Sequence, residues 1–372
     1  MIYRYSKDRC GHPVKTATIY TKEEHKILLE KIDSDCLNVI MRLRECGFDS
    51  YIVGGAVRDL ILGNTPKDFD IVTSATPAKI KKLFRNSRII GKRFRLVHVF
   101  FGDKIFEVST FRSNEYGSVG NSFGSIEEDV LRRDFSLNAL YYDPIKEQVI
   151  DYVGGVEDIK KNVLRPVIPL KRIFDEDPVR MIRAAKYSAT CNCKMSFALK
   201  HKIRQSAYKL SPISASRLTE EMLKILNSGH AYQIISACIK NDIYMYLQPS
   251  ASAMMYESSE FSRSYFENLQ KLDLLVSENK NVRLGEKLVF LIEDFVKTLT
   301  DWNKEILTKS ASGELYKKSW TEVRNFVLPI NPQRTELEYA IRKTLKNLGV
   351  NIKIQKNIYL TSKENIKKVS KK

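Results

Sequence analysis

The sequence is short of several things, and each shortage removes a class of function. Its longest apolar run, Leu288 to Ile292, falls far below the roughly 18 residues of a membrane-spanning helix, so no membrane partner is expected. The opening MIYRYSKDRCGHPVK has no apolar core of the kind a secretory signal carries. Six cysteines are scattered over 372 residues, too thinly for a disulfide framework, and the CNC spacing of Cys191 and Cys193 is wrong for a zinc pair. All six are therefore expected to be reduced thiols, which fits a cytoplasmic protein. Histidine is scarce (five residues) and never precedes aspartate, which leaves a histidine-rich metal phosphohydrolase little to work with. A glycine-rich loop ending in GK[ST] is also missing, so a P-loop ATPase is not expected.

Acidic residues are outnumbered as well: 44 against 62 lysines and arginines, for a net charge of +18. A lysine-rich background composition would give the same total, but the cations are clustered. Eight of them and no acid lie between Lys79 and Arg95, and ten against the single Glu364 lie between Ile341 and Lys372. Such blocks suit a polyanion, because phosphate contacts by Lys and Arg release counterions. A hydrophobic content of 43% with 10% aromatics is ordinary for a chain that buries real cores. The length suits two or three domains at roughly 100 to 200 residues each.

Local patterns divide the chain. The first fifty residues predict a lead-in and one helix, opened by the capping-box pair Thr21 and Glu24 and stopped at Gly47. Strands are expected at Ser50–Val53, Phe69–Thr73, Arg88–Ile90, Leu96–Phe101 and Ile105–Phe111, with FFGDKIF as a hairpin turn. Thr76-Pro77 predicts a helix start between the second and third of these. The Gly, Ser and Asn-rich stretch Ser113–Ser125 reads as a mobile loop. Beyond Gly155 the β signal fades and helices are expected: Asp177-Pro178 to about Thr190, Phe197 to Tyr208, and two amphipathic segments. Their buried faces are Leu218, Met222, Ile225 and Leu226, then Leu337, Ile341, Leu345 and Leu348. The lysine-rich end after Gly349 reads as a loosely ordered tail. The expected fold is α+β. Its domains are a lead-in and helix at 1–48, a small mixed-sheet head at 49–156, a helical neck at 157–248, and a helical body with a basic tail at 249–372.

Within the head, YIVGGAVRDLILGNTPKDFDIVTSATP (Tyr51–Pro77) gathers the chemistry. Gly54 and Gly55, between a strand and a short helix, let the backbone approach an anion, and Arg58 could add a charge-assisted contact to a phosphate. A Gly-Gly pair alone equally marks a tight turn with no ligand. Asp68 and Asp70 lie two apart at the start of a strand and so share one face, with Phe69 on the other. Two neighbouring carboxylates repel unless a cation lies between them, and magnesium with a substrate phosphate is the usual answer. Glu107, on the second strand of the hairpin, could be a third carboxylate of the same site. Together these are parts for nucleotidyl transfer, in which a two-ion clamp stabilises the entering and leaving oxygens. His98, in LVHVFF, reads as a packed residue rather than a ligand.

Four segments in order, GGAVRDLILG…DFD, RRDFSLNAL, DEDPVR and SRLTEEMLKIL, resemble the signature motifs of the class II nucleotidyltransferases. That family comprises bacterial poly(A) polymerases and CCA-adding tRNA nucleotidyltransferases on a polymerase-beta-like head. The resemblance implies a magnesium-binding catalytic pair in Asp68 and Asp70, and triphosphate handling by Gly54, Gly55, Arg58 and Asp59. It implies a sugar-side motif in Arg132, Arg133, Asp134 and Asn138, with Asp134 among the catalytic carboxylates. Asp177 and Arg180, with Glu176, would read the nucleotide base, and Arg217 with Glu221 would support the neck. Each has a simpler reading: Asp177 before Pro178 as a helix N-cap, Asp134 as an ion-pair partner of Arg132 or Arg133, and Arg217 with Glu221 as a structural pair. Between the two branches, Ile89–Val99 and GSIEEDVLRRDFSLNALYYDP resemble the poly(A) polymerases more closely. The implied activity is addition of AMP from ATP to RNA 3′ ends, as in mRNA processing, with Lys92, Arg93 and Arg95 as RNA or triphosphate contacts. The alternative is CCA addition to tRNA, and a more remote one is a non-catalytic RNA-binding protein.

Overall fold

A computed structural model of the chain describes residues 1–7, 10–91, 96–113, 123–278, 281–300 and 309–350. The expected loop at Ser113–Ser125 therefore lies largely outside the described residues. Lys92, Arg93 and Arg95 lie outside them as well, and so does the tail from 351 onward.

The chain divides into two compact units, one of Met1–Arg180 with Cys191–Lys202, the other of Met181–Thr190 with Ile203–Lys372. The first unit opens with β1 (Ile2–Lys7), β2 (Pro13–Tyr20), α1 (Lys22–His25) and α2 (Ser34–Glu45), where a lead-in and a single helix were expected. The Thr21–Glu24 capping box is present, but it opens only one turn, because Lys26 turns left-handed at φ 56° and ends it. Asp33 caps α2 by accepting from the Asp35 N–H at 2.8 Å. There follow β3 (Ser50–Val53), α3 (Gly55–Ile61), β4 (Asp70–Thr73), α4 (Pro77–Leu83), β5 (Ser87–Ile90), β6 (Leu96–Phe101) and β7 (Lys104–Thr110). These match the expected strands, helix start and hairpin to within a residue or two at their ends. Next come α5 (Ile126–Leu131), β8 (Leu140–Asp143), β9 (Gln148–Asp151), α6 (Gly155–Lys160), the short β10 (Val163–Leu164), α7 (Ile173–Glu176), α8 (Arg180–Thr190), β11 (Lys194–Met195) and α9 (Phe197–Ser206).

The described residues build one nine-stranded sheet in the order β1-β2-β9-β8-β3-β4-β7-β6-β5. It is mixed: β4 and β7 run parallel, whereas the other pairs are antiparallel. In the centre both faces are covered, and every residue of β3 and β8 is buried. One face carries Tyr51, Val53, Val72, Phe111, Tyr141 and Ile150 into a core closed by Val130 of α5. The opposite face carries Ile52 and Ile71, both fully buried. Ser50 ties this side to α2 by donating to the Ile40 carbonyl at 3.2 Å. Burying side chains of this size stabilises by about 1.5–3 kcal/mol each, so the alternation of β3 and β4 is strongly enforced.

The second unit is helical: it takes α8 from Met181 onward and the end of α9 from Ile203, then α10 (Ala215–Leu226), α11 (Ala231–Lys240), α12 (Tyr244–Leu247), α13 (Pro249–Glu257), α14 (Ser259–Glu278), α15 (Leu284–Lys297), α16 (Lys309–Phe326) and α17 (Arg334–Asn347). Leu218, Met222, Ile225 and Leu226 of α10 are buried, as are Leu337, Ile341 and Leu345 of α17, whereas Leu348 is only partly so. An α+β head followed by helices is the fold the sequence led us to expect.

His25 supplies a pH-sensitive tie. Its Nδ1 accepts from the Ile27 N–H at 2.9 Å, which leaves Nε2 to donate to the Glu147 carbonyl at 3.0 Å. This arrangement needs the neutral ring, and burial holds the imidazole below its ordinary value of 6.5. Because the folded value is the lower one, this contribution to stability is full above pH 6.5 and is lost as the pH falls below it. The chain is expected to lose stability from pH 7 to pH 5.5, and the loss to shrink in His25→Gln, as read by urea unfolding at each pH.

Candidate active site

The site is organised around the turn from β3 to α3. Gly54 sits at φ 72°, ψ −133°, a conformation open to glycine and strained for other residues. A Cβ there would stand 3.7 Å from Arg133 Nη1 and 4.0 Å from both Asp70 Oδ2 and the Asn138 carbonyl. Gly54 is thus the point where the catalytic strand, the RRDFSLN segment and the Gly-Gly turn converge. The helix that follows has only 7 residues, so its dipole is small.

Asp70 begins β4, in register with Val53 on one side and Glu107 on the other. Asp68 is exposed, Phe69 buried and Asp70 exposed, the alternation that puts both carboxylates on one face. Cross-strand partners also share a face, so Glu107 projects beside Asp70. Glu107 in turn faces His98 across the hairpin, with its Oε1 at 3.5 Å from His98 Nε2. His98 is therefore part of the polar face, contrary to its expected place in the core. Exposed oxygen donors on adjacent strands suit a hard divalent cation such as magnesium. Among the described residues no group of three or more His, Cys, Asp and Glu side chains is arranged to hold a metal.

Arg58 bends back on its own turn. Its Nε and Nη2 donate to Asp59 Oδ1 at 2.9 and 2.7 Å, and its Nη1 donates to Asn138 Oδ1 at 2.8 Å. Asn138 closes a 3₁₀ turn, Ser136–Asn138, and is buried. This turn is anchored from below: Ser136 donates to Asp158 at 2.5 Å, and Gly155 lies so close that a Cβ would fall 2.2 Å from the Ser136 carbonyl. Asp151, whose role the sequence did not suggest, holds that anchor. Its carboxylate accepts four N–H bonds, from Val153, Gly154, Gly155 and Val156, at 2.7–3.0 Å.

The remaining motif residues separate by partner. Arg133 donates to Asp129 Oδ2 at 2.9 Å and to the Tyr141 hydroxyl at 2.9 Å, and Tyr141 donates to Asp129 at 2.6 Å. The acid that Arg133 pairs with is Asp129, four residues before it; the expected alternative was Asp134. Burial pushes the Tyr141 phenol well above its usual value, against the pull of Arg133, so it remains a donor. Asp134 accepts from the Phe135 N–H at 2.8 Å. Arg132 donates to the Ser113 carbonyl at 2.7 Å and, through its own carbonyl, accepts from Arg180 Nη2 at 3.4 Å. Arg180 also donates to Glu176 at 3.1 Å and to the Ile173 carbonyl at 3.0 Å. Asp177 accepts from the Val179 N–H at 3.2 Å, the capping role open to it from the sequence. In the helical unit Glu221 is buried and met at 3.3 Å by Arg183 and at 3.6 Å by Lys224.

Asp129 and Tyr141 went unnoticed in the sequence; the available signal was the i, i+4 spacing of Asp129 and Arg133. The Asp129 side chain is 10% exposed and that of Arg133 21%, so breaking the pair strands a largely buried cation. Asp129→Asn is expected to lower the unfolding free energy by about 2–4 kcal/mol, measured by urea denaturation. An unchanged midpoint would show that the network carries no stability.

Comparison with known proteins shows the family. The family model described as "Poly A polymerase head domain" matches residues 50–165, and one described as "Probable RNA and SrmB- binding site of polymerase A" matches residues 194–255. Poly(A) polymerase I of Salmonella typhimurium is 40% identical over 259 residues, which is 65% of this chain and 56% of that protein. The chain thus spans little more than half the length of that relative. The CCA-adding enzyme of Lactobacillus helveticus is 30% identical over 282 residues, 73% of this chain and 68% of that enzyme. In structure, the CCA-adding enzyme of Bacillus stearothermophilus in complex with CTP gives a TM-score of 0.57 at 24% identity, covering 84% of this chain and 82% of that one. The chain belongs to the class II nucleotidyltransferases, the family of the bacterial poly(A) polymerases and the CCA-adding enzymes.

Proposed function

We propose that the protein is a template-independent polynucleotide adenylyltransferase that adds AMP from ATP to RNA 3′ ends. The observation that carries this reading is the higher identity to poly(A) polymerase I, 40% against 30% for the CCA-adding enzyme, on a head in which Asp70 stands beside Gly54 and in register with Glu107. CCA addition is the second reading, favoured by the 30% identity to the CCA-adding enzyme of Lactobacillus helveticus, of which the chain covers 68%. The helical unit, with the neck and body expected from the sequence, would carry the RNA in either case. No helix among the described residues is long and apolar enough to cross a membrane.

In this reading the RNA 3′-oxygen attacks the α-phosphorus of ATP, the bond to the bridging oxygen breaks, and pyrophosphate leaves. Gly55 would present its backbone N–H to the triphosphate, and Gly54, whose own N–H donates to the Leu140 carbonyl at 3.4 Å, would give the close backbone approach, with Arg58 and Asp59 alongside and Arg132, Arg133, Asp134 and Asn138 on the sugar side. Asp68 and Asp70 would hold magnesium, which when bound neutralises charge developing on the phosphoryl oxygens. Glu107, in register with Asp70 on the neighbouring strand, would accept the proton of the attacking hydroxyl. Asp177 and Arg180 would read adenine by offering an acceptor and a planar donor fork.

Two labelled RNAs test the reading: an oligo(A) primer and a tRNA lacking its CCA end, each with ATP alone or CTP alone. Long tails from ATP on oligo(A), with no CTP incorporation, are expected. Two cytidines on the tRNA would establish CCA addition in its place. Asp70→Ala is expected to lower transfer by about 10³-fold or more while leaving RNA binding within about twofold. Transfer retained in that variant would overturn the assignment of the carboxylates.

A further inference from the structure

One row of side chains runs outward from Asp70 across three further strands. Asp70 is in register with Glu107, Glu107 with His98, and His98 with Arg88. Cross-strand partners project on the same side of a sheet, so the four side chains form a line. The other side of this part of the sheet is closed: Val97, Val99, Phe106 and Val108 are buried. Thr110 of that side donates to the Ala75 carbonyl at 2.6 Å, at the entry to α4, and Lys104 reaches Asp33 and Asp35 of the α2 end at 2.8 and 3.0 Å. Among the described residues the side bearing the row is open. Arg88 is exposed, the side chain of Glu107 is 55% exposed, and Leu96, Phe100 and Ile105 beside them range from half-buried to exposed. Phe100 meets the His98 ring edge-on, with centroids 6.3 Å apart, which orients the imidazole toward Glu107.

We propose that this open face is the seat of the last few nucleotides of the RNA strand, with Arg88 as the contact to a phosphate upstream of the 3′ end. The proposal deepens the transfer reading and rests on it for the position of the 3′-hydroxyl. Two observations select a single RNA strand as the occupant. The face is continuous with the Asp70–Glu107 end of the site, and its far strand carries Arg88, an exposed cation suited to a phosphate. Three strand steps of about 4.8 Å carry the row roughly 14 Å from Asp70, about four nucleotides at a rise of about 3.4 Å. The strand would run from Arg88, over Phe100 as a surface for a base or ribose, past His98, to Glu107 and Asp70. His98 is then a positioning residue that holds Glu107 toward the strand end.

Binding of 5′-fluorescein oligo(A) to the full chain, followed by anisotropy without ATP, tests the face separately from the chemistry. Arg88→Ala is expected to raise Kd about five- to tenfold and to lower the slope of log Kd against log salt by about 0.7, the loss of one single-strand phosphate contact. Arg88→Lys should keep most of the affinity. Lys160→Ala removes the same charge from α6, where Lys160 pairs with Glu157 at 3.5 Å, and should change Kd less than twofold. Wild-type affinity in Arg88→Ala, no binding by the wild-type chain, or an equal loss in Lys160→Ala would overturn the proposal. Were the wild-type chain to extend neither RNA while Arg88→Ala still lost binding, the transfer reading would fall and the RNA face would stand.

Discussion

Backbone pairing among β3, β4 and β7 decides where a carboxylate can be in this protein. Val53, Asp70 and Glu107 are held side by side by that register, and Gly54 follows directly from Val53. A slip of one residue would bring Ile71 to the site and drive Asp70 into the layer under α2. Ile71 and Ile52 have no exposure at all, so a carboxylate in their place would be an unpaired charge in an apolar core. That penalty, together with the loss of apolar burial, holds the register. The geometry of the chemistry is thus enforced by residues that take no part in it.

The carboxylates fall into two groups that the fold treats differently. Asp129 and Asp151 are buried, and each is surrounded by donors: Arg133, Tyr141 and the Arg112 N–H around the first, four consecutive backbone N–H groups around the second. Their desolvation is offset by charge-assisted bonds, and what they gain is rigidity in the turns flanking Gly54. Asp68, Asp70 and Glu107 are exposed, where the cost of charge is low and a cation can reach them. The covering layer built from Tyr51, Phe111, Val130 and Tyr141 extends over the centre of the sheet and leaves β5, β6 and β7 open on that side. Asp70 lies at this border, between a rigid turn and an accessible face.

What was legible in the sequence was local. The strands from Ser50 to Thr110 were placed nearly to the residue: β6 and β7 alternate, since one side of each meets the core, and β3 and β4, buried on both sides for most of their length, are short apolar runs bounded by turn residues. The turn at Gly54 and Gly55 and the shared face of Asp68 and Asp70 were legible because each lies within a few residues of chain. β8 and β9 were missed: LYYD is buried on both sides and shows no alternation. β1 was missed for the opposite reason, since IYRYSK is exposed along nearly all its length. The capping box at Thr21 was correctly read as a helix start, but the left-handed turn at Lys26 that cuts the helix short has no comparable signal. Long-range partners were the least legible. Arg58 meets Asn138 across 80 positions, and the choice of Asp129 for Arg133 depends on Tyr141, which the sheet brings beneath them.

Arg180 shows how such partners bear on the chemistry proposed for it. Its guanidinium holds Glu176 and the carbonyls of Ile173 and Arg132, so contact with a base edge requires it to release some of these. Glu176 is also held by Arg172, through two donors at 2.8 and 3.0 Å. If Arg180 turned away, Arg172 would keep that carboxylate neutralised, which lowers the cost of the exchange. The bond to the Arg132 carbonyl links the same movement to the segment that runs through Arg133 to Asn138 beside Gly54. Occupation of the base position and settling of the sugar-side residues would then be coupled through one hydrogen bond. That coupling offers a physical route by which the correct base could favour the reactive arrangement at Asp70.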